Sequence, residues 1–205
     1  MGKLENQKMS FTFTIKEKKY CFLHIPKNGG KSIIKYLRNE NINISRPLVK
    51  HASFLETEKE LEKNYNYFCI LRDPYSRMVS YFSYIKQKSL DHGQVQAKKI
   101  ADKEGFSGFV DYVTKGSPPD VFRPQKEYIK DEAGNILEKN IRYLKLENIK
   151  DDVKGFMEEI CFEPKTAYPH INQSKHSSTD SFYKNKEDRE KVYRFEEEIF
   201  NKFKY

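Results

Sequence analysis

The sequence predicts an α/β fold, a single domain with a central parallel sheet flanked by helices, on three observations. Two apolar runs, Tyr20-Cys21-Phe22-Leu23 and Tyr67-Phe68-Cys69-Ile70-Leu71, lack polar alternation and read as strands buried on both faces. Each is followed by a break and then by apolar residues at helical spacing: Ile33, Ile34 and Leu37 after the first, Met78, Tyr81, Phe82 and Ile85 after the second. A third strand candidate over 141–146 precedes an amphipathic stretch over 149–160, so strands and helices alternate.

The elements follow in order. Residues 11–15 alternate like an edge strand, and 16–19 turn it into the apolar run 20–25, giving a hairpin. Pro26 to Gly30 breaks that strand and a helix follows over 31–40. Residues 47–51 are a short extended piece, and Ser53, with Glu56 in the first turn, caps a helix over 54–63. After the strand 67–71, Asp73 as cap and Pro74 in the first turn open a second helix. Residues 86–105 are polar and read as a mobile loop, and 106–113 as a short helix. Gly116-Ser117-Pro118-Pro119-Asp120 is the strongest loop signal and suits a lid or substrate loop. Residues 188–203 close the chain as one charged helix.

At 205 residues the chain is the size of one domain, able to bury roughly 70 % of its unfolded surface. Its apolar fraction is only 37 %, but 15 Phe and 14 Tyr supply large side chains to a core. Cys21, Cys69 and Cys161 are odd in number, far apart and set in apolar stretches, so they read as reduced core residues. The polar start lacks the apolar region of a secretory signal, and no run approaches the ~18 apolar residues of a membrane span. The expectation is a soluble cytoplasmic protein. A net charge of +8 fits nucleic acid, an anionic membrane or an anionic ligand, and does not choose among them.

The first chemical signal is His24-Ile25-Pro26-Lys27-Asn28-Gly29-Gly30-Lys31-Ser32, two glycines between a buried strand and a helix. Glycines there let backbone amides converge on an anion, and the helix start adds about half a positive charge. A Walker-A loop would need a glycine at position 25, where Ile25 stands. The second signal is Arg72-Asp73-Pro74-Tyr75-Ser76-Arg77-Met78-Val79-Ser80. Arg72 emerges at the carboxyl end of a parallel strand, where open α/β sheets bind ligands, and its guanidinium matches a phosphate as a fork. Ser80 lies roughly two helical turns further on, on a face Arg72 can share.

Together these segments resemble the carbohydrate sulfotransferases of the heparan and chondroitin sulfate type, which take sulfate from 3′-phosphoadenosine 5′-phosphosulfate (PAPS). Their phosphosulfate loop is commonly His-Ile-Pro-Lys-Thr-Gly-Gly-Thr-Ser, and this chain agrees at seven of nine positions. The resemblance implies a P-loop-like fold, with Pro26, Lys27, Asn28, Gly29, Gly30, Lys31 and Ser32 around the 5′-phosphosulfate and Arg72 and Ser80 on the 3′-phosphate. Asn28 and Lys31 replace threonines, removing two hydroxyl contacts and adding a charge. Arg77 matches the family's Arg-Asp-Pro-x-x-Arg pattern, with a ligand contact or a structural ion pair both open. Arg123-Pro124-Gln125-x-x-Tyr128 is similar to a run of bacterial-type members in which the glutamine faces the acceptor or cofactor cleft; a buried Gln125 bonding a loop backbone explains it equally well. Asn172-x-Ser174-Lys175 is similar to the loop that closes over the nucleotide. The match spans about residues 20–205.

Sulfuryl transfer is an in-line displacement, so a base must take the hydroxyl proton and a cation must meet charge on the leaving nucleotide. Lys27, on the loop itself, is the candidate cation. His51, in Lys50-His51-Ala52-Ser53, occupies the position of the family's catalytic histidine and is the candidate base, in contact with acceptor. Strand alternation points His24 away from the loop, His170 and His176 flank the closing loop, and His92 sits in the polar stretch. No metal is expected, since no His, Cys or carboxylate cluster has ligand spacing. The expected product is adenosine 3′,5′-bisphosphate (PAP) and the expected partner a carbohydrate or other hydroxyl acceptor, not nucleic acid. Two rival readings stand beside this one: a P-loop nucleotide kinase, on Gly30-Lys31-Ser32, and a basic module for an anionic polymer, on the net charge and the aromatic-basic stretch 184–194.

Overall fold

The computed structural model describes residues 9–45, 48, 51–61, 64–87, 94–115, 120–169 and 178–205. It shows an α/β fold whose four-stranded sheet, mostly parallel, is flanked by helices. The chain divides into two compact units, Met1–Arg72 with Lys126–Asn172, and Asp73–Gln125 with Gln173–Tyr205.

The first unit holds the sheet, in the order β1 (Phe11–Ile15), β2 (Lys18–Leu23), β3 (Tyr65–Leu71) and β4 (Ile141–Lys145). β1 and β2 form the expected hairpin, with Phe11 opposite Phe22, turned by Lys16 and Glu17 at positive φ. β2, β3 and β4 run parallel, with Phe22 beside Phe68 and Ile70 beside Leu144. One face carries Phe11, Phe13, Tyr20, Phe22, Phe68, Ile70 and Leu144, covered by α1 (Gly30–Asn39) through Ile33, Ile34 and Leu37 and by α5 (Ile149–Glu159) through Val153, Phe156 and Met157. Phe68 and Phe156 stack with centroids 4.7 Å apart. Tyr67 points to the other face, where Phe54 of α2 (Phe54–Glu60) meets it edge-on. α2 starts as its sequence predicts: Ser53 and Glu56 form a reciprocal capping box.

The second unit is helical: α3 (Pro74–Gln87), α4 (Val95–Lys115), α6 (Lys186–Phe195) and α7 (Glu197–Phe203). Met78, Val79, Tyr81, Ile85, Phe109, Val110, Phe122 and Val192 make its core. Asp73 caps α3, its Oδ1 accepting the Ser76 amide at 2.7 Å.

Three expectations are corrected. Residues 95–105 are helix rather than loop, because Ala97 and Ala101 bury a narrow small-residue face; Gly105, at φ 70 and ψ −155, breaks the helical path and produced the false boundary. The closing helix is two helices, parted at Glu196, whose backbone leaves helical geometry and whose side chain is buried. Cys161 is exposed, at φ 55 just past the end of α5, whereas Cys21 and Cys69 are buried and unbridged.

Candidate active site

β2 ends at Leu23, and the next six residues turn the chain into α1. Gly29 is the N-cap residue, at φ 82, and lends the helix no side-chain cap. Its left-handed backbone suits glycine, and a Cβ there would stand 2.9 Å from Leu146 Cδ1. The amides of Ser32 and Ile33 bond to the Gly29 carbonyl, at 2.9 and 3.4 Å. A helix start leaves its first amides without intrahelical acceptors, so a loop without a side-chain cap suits an anion. Lys31 is exposed and Ser32 buried.

Three side chains brace this loop within the first unit. Asn28, 1 % exposed, donates from Nδ2 to the Ile70 carbonyl of β3 at 2.7 Å. Its amide thus ties loop to sheet, a task that a threonine hydroxyl could reach less easily. Arg72, one residue past β3, donates from Nη1 to the Lys27 carbonyl at 3.0 Å. Pro26 is buried and fixes the entry to the turn.

A histidine pair stands beside these three. The Nδ1 atoms of His24 and His51 are 2.8 Å apart, and the rings have centroids 4.8 Å apart with planes 26° from parallel. His24 therefore faces the loop, contrary to the alternation argument, because the strand ends at Leu23 and alternation does not continue past it. Lys27 at φ 70 and His51 at φ 64 are non-glycine residues held left-handed. Among the described residues, the others of this kind lie in the β1–β2 turn, at helix ends or just before β3 and β4. Non-glycine backbone in this region costs about 1–3 kcal/mol, and such strain concentrates at functional sites.

The structure thus gathers Pro26, Lys27, Asn28, Gly29, Gly30, Ser32, His51 and Arg72 about one loop. His24 is the member that sequence reasoning missed; the readable signal was a glycine, Gly30, placed inside a helix. Of the remaining candidates, Lys31 is exposed on α1 and the others lie in the second unit or outside the described residues. Ser80 is buried in α3. Gln125 is fully buried, its backbone amide donating to Glu196 Oε2 at 2.9 Å. Arg77 is an ion-pair residue: 2 % exposed, it donates to Glu196 Oε1 at 2.6 Å, to the Tyr81 hydroxyl at 2.8 Å and to the Arg123 carbonyl at 3.0 Å. Ser174, Lys175, His170, His176 and His92, with most of the 116–120 loop, lie outside the described residues.

Burial pushes the Cys21 thiol up to about 12, helped by the nearby Glu58 charge, and raises Cys69 further. Neither buried thiol is a nucleophile near neutral pH. Among the described residues no helix is long and apolar enough to cross a membrane.

No curated protein and no solved structure matches the chain. The model of the sulfotransferase family matches residues 8–204, and with a strand-to-helix glycine loop, a histidine beside it and an arginine on its backbone, the chain belongs to the sulfotransferase family and is a transferase acting in sulfuryl transfer.

Proposed function

We propose that the protein transfers a sulfuryl group from PAPS to a hydroxyl of a carbohydrate or glycan-like acceptor, with His51 as general base and Lys27 at the leaving group. The observation that carries this reading is the meeting of His51 with the loop segment: a histidine 27 residues away in sequence is hydrogen-bonded to the residue that leads into the loop. An uncapped helix start and two basic residues, Lys27 and Arg72, fit a donor that is anionic at both ends. Pro26, Asn28, Gly29, Gly30, Lys31 and Ser32 would surround the 5′-phosphosulfate, and Arg72 would meet the 3′-phosphate.

Bound there, PAPS would supply an activated sulfuryl group. The chain's own residues do the rest. His51 takes the proton from the attacking hydroxyl at a ring nitrogen, and a positioned general base contributes about 10²–10⁴-fold. Lys27 stands where negative charge grows as the nucleotide leaves, a fixed cation that needs no reorganisation. Arg72 holds the Lys27 peptide from behind, which keeps that cation on the loop.

Calorimetric titration with PAP, ATP and AMP tests the donor assignment. Tight binding that requires the 3′-phosphate is expected; preference for ATP refutes it and favours a kinase. His51→Ala should abolish turnover and leave PAP affinity nearly intact, and full turnover in that variant removes His51 as the base.

A further inference from the structure

The second glycine of the loop has an unusual neighbour. Gly30 does not lie in the left-handed region, so its backbone would accept any residue, and alanine in a helix is ordinarily better than glycine by about 1 kcal/mol. Yet a Cβ at Gly30 would stand 2.2 Å from His24 Cδ2 and 2.4 Å from His24 Nε2. Gly30 makes room for an imidazole. That imidazole is 5 % exposed, with Phe22 6.1 Å away between ring centroids; the His24 backbone amide donates to Ser10 Oγ at 3.2 Å. Its Nδ1 meets His51 Nδ1 at 2.8 Å. Two nitrogens that close cannot both carry a proton or both present a lone pair; one donates and the other accepts.

We propose that His24 is a positioning residue: it accepts the Nδ1 proton of His51 and so holds His51 in the tautomer whose lone pair is on Nε2. The inference rests on the reading of His51 as general base, because only this tautomer has a basic Nε2. Which ring nitrogen is basic is set by the hydrogen bond that the other makes. Carboxylates and carbonyls usually fill this role. A neutral imidazole orients the ring without adding an anion to a site that must admit an anionic donor. When the hydroxyl proton arrives at His51 Nε2, the Nδ1 hydrogen still points at the His24 lone pair. The pair therefore accepts one proton without rearranging, and returns it to water afterwards.

Nitrogen-15 spectra of the histidines in the full chain near neutral pH read the tautomer directly. The expected result is His51 protonated at Nδ1 and unprotonated at Nε2; a neutral His51 carrying its proton on Nε2 overturns the proposal. His24→Leu removes the acceptor, and His24→Asn offers an amide oxygen near the place of Nδ1. His24→Leu should lower kcat on the order of tenfold to a hundredfold with KM for PAPS changed less than about threefold, and His24→Asn should recover most of the loss. Full turnover in His24→Leu, or equal loss in both variants, overturns it. The spectrum of the unaltered protein decides the matter should His24→Leu not fold. A failure of the base assignment looks different: His51→Ala would retain turnover while the unaltered protein still showed the Nδ1 proton, which would overturn the catalytic role and leave the hydrogen bond.

Discussion

Gly30→Ala separates two roles that one glycine could serve. The added methyl would begin 2.2 Å from His24 Cδ2, where ordinary contact begins at 3.4 Å, so the ring must retreat by roughly 1.2 Å. The His24–His51 hydrogen bond is 2.8 Å long, and such bonds fade beyond about 3.2 Å, so a retreat of that size breaks it. Overpacking costs about 1–3 kcal/mol and is offset by the ~1 kcal/mol advantage of alanine in a helix, which leaves a folded protein. The assays are steady-state sulfuryl transfer and calorimetric PAP binding on the same preparation. A kcat reduced on the order of tenfold to a hundredfold, with PAP affinity held within about threefold, is the expected result. Unchanged kcat refutes the reasoning, and lost PAP affinity with intact kcat says that Gly30 serves the phosphate's approach instead.

Other consequences are open to measurement. Glu196→Gln leaves the Arg77 cation buried without its counter-ion, at a cost of about 3–5 kcal/mol and a Tm drop of roughly 6–20 °C; the double variant Arg77→Met/Glu196→Leu should recover most of it, and a single-variant loss below about 1 kcal/mol contradicts the ion-pair reading. Arg72→Ala should weaken PAP binding by about 2 kcal/mol, roughly thirtyfold, and Arg72→Lys should not restore it, since a lysine lacks the fork; equal affinities in a titration would refute both. Glu40 ends α1, where a helix dipole disfavours an anion. Desolvation raises its pKa, but the backbone amides of Lys165 and Thr166, the Thr166 hydroxyl and the Lys165 charge together hold it below the ordinary value. Its contribution is therefore full above the ordinary glutamate pKa and lost as pH falls through the lower folded value, so Glu40→Gln should flatten the acid limb of a urea midpoint-against-pH curve; an unchanged limb refutes this.

What the sequence made legible was local. The capping box at Ser53 and Glu56, the cap at Asp73 and the strand–glycine–helix passage at 20–40 depend on residues within a few positions of one another. What escaped depended on distance. The break at Glu196 is made by Arg77, 119 residues earlier. The helix over 95–105 buries only Ala97 and Ala101, too little apolar surface to leave a periodic signal. Of the site, the loop could be read because glycine spacing and backbone geometry are coupled. The partnership of His24 with His51 could not, since nothing near either residue encodes the other. Asn28 read as a lost ligand contact, whereas its amide reaches Ile70 across 42 residues.

That last contact bears on how quickly the protein can engage its donor. With Asn28 bonded to β3 and the Lys27 carbonyl held by Arg72, the loop is tied to the sheet at two points. Its loss of backbone freedom, about 1–2 kcal/mol per residue, falls on folding rather than on association. Under the proposed function, a nucleotide meets a surface already formed at this loop, and a misfitting one is turned away by the stiffness of that surface.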